Sequence, residues 1–202
     1  MDASGWDERY RASAEHGGIW AAEPPRVIRR IVGTLTPGSA LDVATGDGRT
    51  AVWLQQQGWT TTGVDFARAG LELAQARPGG DSVDWVEADV LTWAPRERYD
   101  LVVVAYLHLT DNESAIRRVA GWVAPGGHLV VVGHDLENLA VGGHGPSDSD
   151  VLYTPETLRA AVEPILIVTR CERLRRDGEA EVRGGTGGDA VDTVLVATRA
   201  EV

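Results

Sequence analysis

Residues 41–66 read LDVATGDGRTAVWLQQQGWTTTGVDF. An acid, Asp42, stands at the tip of an apolar run, and Gly46 and Gly48 follow it. A helix-like segment over 49–57 comes next, then a second apolar run over 61–64 that ends at Asp65 and Phe66. A strand, a glycine turn, a helix and a second strand in this order open a parallel sheet. In such sheets ligands bind at the carboxyl ends of the strands, beside the first one, which here means residues 42–49.

The alternation continues on either side. Apolar runs at 40–44, 61–64, 83–86, 101–105 and 129–132 predict five strands, and residues 49–57, 67–77 and 112–124 predict the helices between them. The last helix carries Ile116, Val119, Ala120 and Val123 on one stripe, with Asp111 as its N-cap. Runs as apolar as LVVVA and LVVVG are buried on both faces, the mark of a parallel sheet covered by helices. Upstream, Trp6, Tyr10 and Ala14 share one face of a short helix ending near Gly17 and Gly18. EPPRVIRRIVGTL predicts a second helix with Pro24 and Pro25 near its first turn. Downstream, Thr154 and Pro155 start another helix. ILIVTRCERLRR and AVDTVLVATR are two strands joined by a glycine-rich connection, which allows antiparallel pairing. The expected fold is therefore α/β, a doubly wound, mostly parallel seven-stranded sheet with a C-terminal antiparallel hairpin and helices on both faces. The expected division is 1–36 as an N-terminal helical lid and 37–202 as the ligand-binding domain.

The chain has 202 residues and a formal net charge of −11, with 30 acids against 19 bases. That balance argues against nucleic acid or an anionic membrane as partner, because both are bound by neutralising phosphates. Every one of the bases is arginine. A P-loop lysine, a Schiff-base lysine and a lysine general base are thereby excluded together. The single cysteine, Cys171, sits in a strand-like run and reads as packing; one thiol makes neither an internal disulfide nor a multi-thiolate metal centre. No apolar run reaches membrane-span length, and the N-terminus lacks a signal-peptide layout, so a cytoplasmic protein is expected.

GDGRTA at 46–51 formally matches the G-x-G-x-x-A pattern of dinucleotide binders, so a nicotinamide cofactor competes for this loop. Three acids favour another ligand. Asp42 beside the loop opposes a pyrophosphate and suits a cation or an amino group. Asp65 after the second strand accepts hydroxyl hydrogens from a ribose, a feature dinucleotide binders share. Asp89, just after the third strand, is placed to accept from the exocyclic amine of adenine. An amine, a ribose, an adenine and a positive charge without phosphate describe S-adenosylmethionine.

On these residues the sequence resembles the class I S-adenosylmethionine-dependent methyltransferases, from about Trp20 to Thr198. DVATGDG, residues 42–48, aligns with the family's acid-x-Gly-x-Gly-x-Gly run, with Ala44 where the first glycine usually stands. Asp65 with Phe66 matches the ribose-binding acid and its neighbour, and ADV at 88–90 matches the adenine contact. YDLVVVAYLHL resembles the fourth-strand motif, with Ala105 and Tyr106 against the cofactor, and APGGHLVVVGHD resembles the fifth strand before the substrate region. The opening WDERY…W…EPPR looks like the lid of small bacterial members similar to tellurite-resistance and thiopurine methyltransferases, where Trp20 and Tyr10 would cover the cofactor. The resemblance implies a cofactor set of Asp42, Ala44, Thr45, Gly46, Arg49, Asp65, Phe66, Asp89, Val90, Ala105 and Trp20.

Methyl transfer needs alignment of the acceptor more than a catalytic triad; thiolates need no base, whereas hydroxyls and ammonium groups do. The loops after the fourth and fifth strands offer the candidates. His134 followed by Asp135 is the first pair expected to serve as base and orienter, with His108 next. Tyr10, Tyr106, Asn138 and His144 are the residues expected at a small-molecule substrate. The competing reading of each histidine is a local hydrogen bond or a pocket wall. No metal is expected, because the ten-residue gap from His134 to His144 matches no helix-borne ligand pair. Two other functions stay open: an NAD(P)-dependent oxidoreductase using GDGRTA, and a protein that holds the adenosyl cofactor without turnover.

Overall fold

The computed structural model of the protein describes residues 2–16, 19–142, 145–176 and 190–201. Seven strands form a mixed sheet with helices around it, as the alternation of the sequence predicts. The described residues fall into two units, one up to Trp93 and one from Ala94.

The first unit contains α1 (Ala3–Ser13), α2 (Arg26–Val32), β1 (Ser39–Val43), α3 (Arg49–Gln56), β2 (Thr60–Asp65), α4 (Arg68–Gln75) and β3 (Asp84–Glu87). Its strands run parallel in the order β3-β2-β1, with Leu41 opposite Thr62 and Gly63 opposite Trp85. Leu41, Val43 and Val64 are fully buried, as strands covered on both faces require. α2 stops at Gly33, its C-cap, rather than running on to Leu35.

The second unit contains β4 (Tyr99–Ala105), α5 (Asn112–Ala120), β5 (Val123–His134), α6 (Asn138–Val141), α7 (Pro155–Val162), β6 (Ile167–Arg175) and β7 (Val191–Thr198). β4 and β5 are parallel, and β7 pairs antiparallel with both β5 and β6, giving the terminal hairpin. Asp111 and Thr154 cap α5 and α7 as expected, each accepting a backbone N–H three residues on. α5 ends at Ala120 instead of 124, because Gly121 caps it and Val123 starts β5. Cys171 lies half-buried within β6. The predicted end of the first helix at Gly17 and Gly18, the glycine-rich connection 177–189 and His144 lie outside the described residues. Among the described residues no helix is long and apolar enough to cross a membrane.

Candidate functional site

The loop after β1 is built on left-handed backbone. Ala44, Gly46 and Gly48 all have positive φ, at 55°, 59° and 79°. The run thus turns sharply and delivers residue 49 as the first of α3. Ala44, which stands where the resemblance predicts glycine, holds the same strained conformation without a glycine's freedom.

Two acids close this loop from inside. Asp42 is buried at the tip of β1, where its carboxylate accepts the Thr45 hydroxyl. Burial raises its pKa to about 7, against the opposing help of Thr45, a backbone bond at Ala51 and the Arg49 charge. Asp65 at the end of β2 accepts the Gly46 N–H at 2.8 Å and the Ala67 N–H at 2.8 Å, one on each oxygen. Burial raises its pKa too, with those backbone bonds opposing. A third acid, Asp47, sits between the glycines and is 1% exposed. Arg77 reaches it from beyond α4, donating to its backbone carbonyl and lying 2.9 Å from its carboxylate.

The N-terminal helix lies on top of this loop. Tyr10 is buried, in a cluster with Ala67 and Ala69 against which Trp6, Trp20 and Phe66 pack. Its hydroxyl occupies the space that a side chain on Gly46 would need, 2.5 Å from where a Cβ would stand. Trp20 donates to that hydroxyl at 3.3 Å, and the Arg49 guanidinium lies 5.7 Å from the Trp20 ring centre. Burial first, then the Asp65 charge, raises the Tyr10 pKa. Asp7 anchors the helix by accepting the Ala69 N–H at 2.8 Å, which caps α4 from outside its own chain segment. After β3, Asp89 is exposed and accepts the Leu91 N–H through Oδ1, while Val90 is buried.

In the second unit, the expected candidates separate into two groups. Tyr106 and His108 follow β4 and are half-buried; Tyr106 has a positive φ of 56°. The His134 ring stacks on His108 with centroids 5.1 Å apart and lies 4.8 Å from Tyr106. Asp135 faces the other way, as alternation along a strand requires. It is fully buried and accepts from the Glu137 N–H, the Arg173 Nε and the Thr193 hydroxyl. His134 and Asp135 are therefore not brought together as a pair. Asn138 is buried and exchanges two 2.7 Å bonds with the Val191 backbone, an anchoring position. Ala105 is half-buried at the end of β4.

Residues 40–127 match the family model described as the methyltransferase domain. Over that segment the chain resembles a methyltransferase domain. It is 38% identical over 95 residues to an uncharacterised methyltransferase of Mycobacterium bovis, covering 46% of this chain and 48% of that one. The chain thus spans about half the length of the curated relatives it matches. A TehB-like SAM-dependent methyltransferase from Corynebacterium glutamicum has the same fold, with a TM-score of 0.63 at 20% identity over 98% of this chain and 97% of that one. The [4+2]-cyclase SpnF superimposes with a TM-score of 0.76 at 16% identity, over 99% and 96% of the two chains. At these identities the structural likeness speaks to fold alone.

Sequence reasoning missed several residues around the glycine loop. Trp85 of β3 lies across Gly63, 2.4 Å from where a Cβ would stand. A glycine inside a strand signals such a close approach, so Gly63 could have revealed it. The Asp47–Arg77 pair and the Asp7 cap had no local signal, since each joins residues at least 30 apart in sequence.

Proposed function

We propose that the chain transfers a methyl group from S-adenosylmethionine to a small molecule by in-line displacement, with residues 1–36 as lid and 37–202 as transferase domain. The observation that carries this reading is the charge inside the glycine loop. Asp47 is buried within it, and Asp42 and Asp65 are buried against it at the ends of β1 and β2. Arg77, the arginine in contact with Asp47, is already paired there. With Asp47 so compensated, a diphosphate would still face Asp42 and Asp65, whereas a sulfonium with an ammonium group is attracted by them.

In this reading Asp65 turns toward the ribose hydroxyls, Asp89 toward the adenine amine, and the backbone of Ala44, Thr45 and Gly46 toward the methionyl part. Arg49, Phe66, Val90 and Trp20 wall the cofactor, and Tyr10 closes over it. S-adenosylmethionine supplies the activated methyl group. The chain's own task is to hold an acceptor in line and exclude water, and alignment of this kind supplies about 7–11 kcal/mol of the barrier. Tyr106, His108 and His134 are the groups proposed to handle the acceptor. Asp135 and Asn138 take no part, because their polar atoms are committed to the strands around them.

Calorimetry with S-adenosylmethionine and S-adenosylhomocysteine tests the cofactor, with micromolar binding expected. Heat with NAD(H) and none with either adenosyl compound would end the proposal. Labelled methyl donor incubated with a metabolite panel, followed by mass spectrometry, then identifies the acceptor. The second reading is a protein that holds the adenosyl cofactor without turnover. Tight cofactor binding with no methylated product across the panel would select it.

A further inference from the structure

The hairpin of β6 and β7 ends in a buried charged group that neither the motif pattern nor the family match assigns. Arg176, just past β6, is 8% exposed, and Asp192 of β7 is 2% exposed. The guanidinium binds the carboxylate as a fork, Nε to Oδ2 at 2.8 Å and one terminal nitrogen to Oδ1 at 2.7 Å. The Tyr106 hydroxyl donates to the same Oδ2 at 2.9 Å, and the guanidinium carbon sits 5.1 Å from the Tyr106 ring centre. The terminal nitrogen that holds Oδ1 also lies 2.8 Å from Nδ1 of His134.

That last contact has one chemical solution. Arginine carries five N–H donors, no acceptor, and stays protonated. The ring atom facing it must therefore offer a lone pair, so Nδ1 of His134 is unprotonated and the ring's proton sits on Nε2. The 3.9 Å separation between Nδ1 and Asp192 Oδ1 is then no ion pair, because the imidazole is neutral with its lone pair turned toward Arg176.

We infer that Arg176, held by Asp192, is a positioning residue that locks His134 as the neutral Nε2–H tautomer, so that this ring serves as a hydrogen-bond donor and not as a base. Lysine would not reproduce the arrangement, since a single ammonium lacks the planar fork that grips Asp192 while reaching the imidazole. The lock rests on the reading of this face as the acceptor side only for its meaning in methyl transfer. It leaves proton acceptance, where an acceptor needs it, to His108, whose ring lies parallel to His134 within 8°.

The test reads ring nitrogens directly and needs neither cofactor nor acceptor. Long-range proton–nitrogen spectra of the full chain, labelled with nitrogen-15 histidine, report both nitrogens of each imidazole. His134 is identified by its loss in His134→Asn. In the wild type, Nδ1 is expected in the unprotonated range and Nε2 in the protonated range near neutral pH. In Arg176→Met, the Asp192 carboxylate becomes the neighbour of Nδ1, and the pattern should reverse toward Nδ1–H. A protonated Nδ1 in the wild type overturns the proposal, as does a folded Arg176→Met protein with an unchanged ring. Should Arg176→Met fail to fold, the wild-type spectrum still decides the tautomer. A failure here leaves the methyltransferase reading intact, and a failure of cofactor calorimetry leaves the lock intact.

Discussion

On the proposed function, the Asp42 carboxyl should make S-adenosylmethionine binding depend on pH, with a sign set by its surroundings. Burial pushes its pKa to about 7, so below neutrality the unliganded protein holds a proton there. A ligand bringing a sulfonium and an ammonium favours the ionised carboxylate, and the proton must leave as the ligand enters. Each pH unit below 7 then costs about 1.4 kcal/mol, a factor of ten, once protonation dominates. Between pH 7 and pH 5.5 the apparent Kd for S-adenosylmethionine should rise by about 15-fold, with proton release climbing from about one half toward one. The window ends at pH 7 because an α-amino group titrates from about 7.7. Calorimetry in two buffers of different ionisation heat measures affinity and proton release together. Asp42→Asn should flatten both. The same shift acts on folding. A raised carboxyl favours the native state below the unfolded value of 3.8, and this contribution is lost as pH rises through about 7, amounting to about 4 kcal/mol. Wild type minus Asp42→Asn stability should therefore fall across that range. Affinity that is level from pH 5.5 to 7, with no dependence on buffer, would refute the reasoning.

Three further outcomes test the loop and its cover. Ala44→Gly releases a left-handed φ of 55° and should raise stability by about 1 kcal/mol in thermal melts; no gain would mean the turn is unstrained. Gly48→Ala puts a Cβ 2.6 Å from that of Ala74 and 2.8 Å from the Trp85 ring at a φ of 79°, and denaturant unfolding should record a loss of about 3 kcal/mol. Asp7→Ala removes the bond that caps α4 and should cost about 1 kcal/mol, with faster proteolytic cleavage inside α1 as the specific sign; an unchanged cleavage rate would show that Tyr10 and the tryptophans hold the helix without it.

What the sequence made legible follows from how local each signal is. The strands and helices were readable because LDV, TTTGVD and LVVVA carry their burial in their own composition, and because Asp111, Thr154 and Pro155 mark helix starts within a few residues. The acids of the glycine loop were readable for the same reason, since strand tips fix where Asp42 and Asp65 stand. Their present partners were not. Asp65 was expected to wait for a ribose, yet it grips the Gly46 and Ala67 amides 19 and 2 residues away. These bonds leave room for the proposed ribose contact, because each carboxylate oxygen accepts more than one hydrogen. His134 and Asp135 illustrate the opposite limit. Adjacency in sequence suggested a pair, but neighbours in a strand point to opposite faces, and each found its cation on β6 or just beyond it, Arg173 for Asp135 and Arg176 for His134. Those arginines lie 38 and 42 residues downstream, in a run that composition alone describes as basic. The antiparallel return of β6 and β7 is what carries them back. The partner that a histidine nitrogen meets here is thus decided by topology, and no motif spanning a single loop could have announced it.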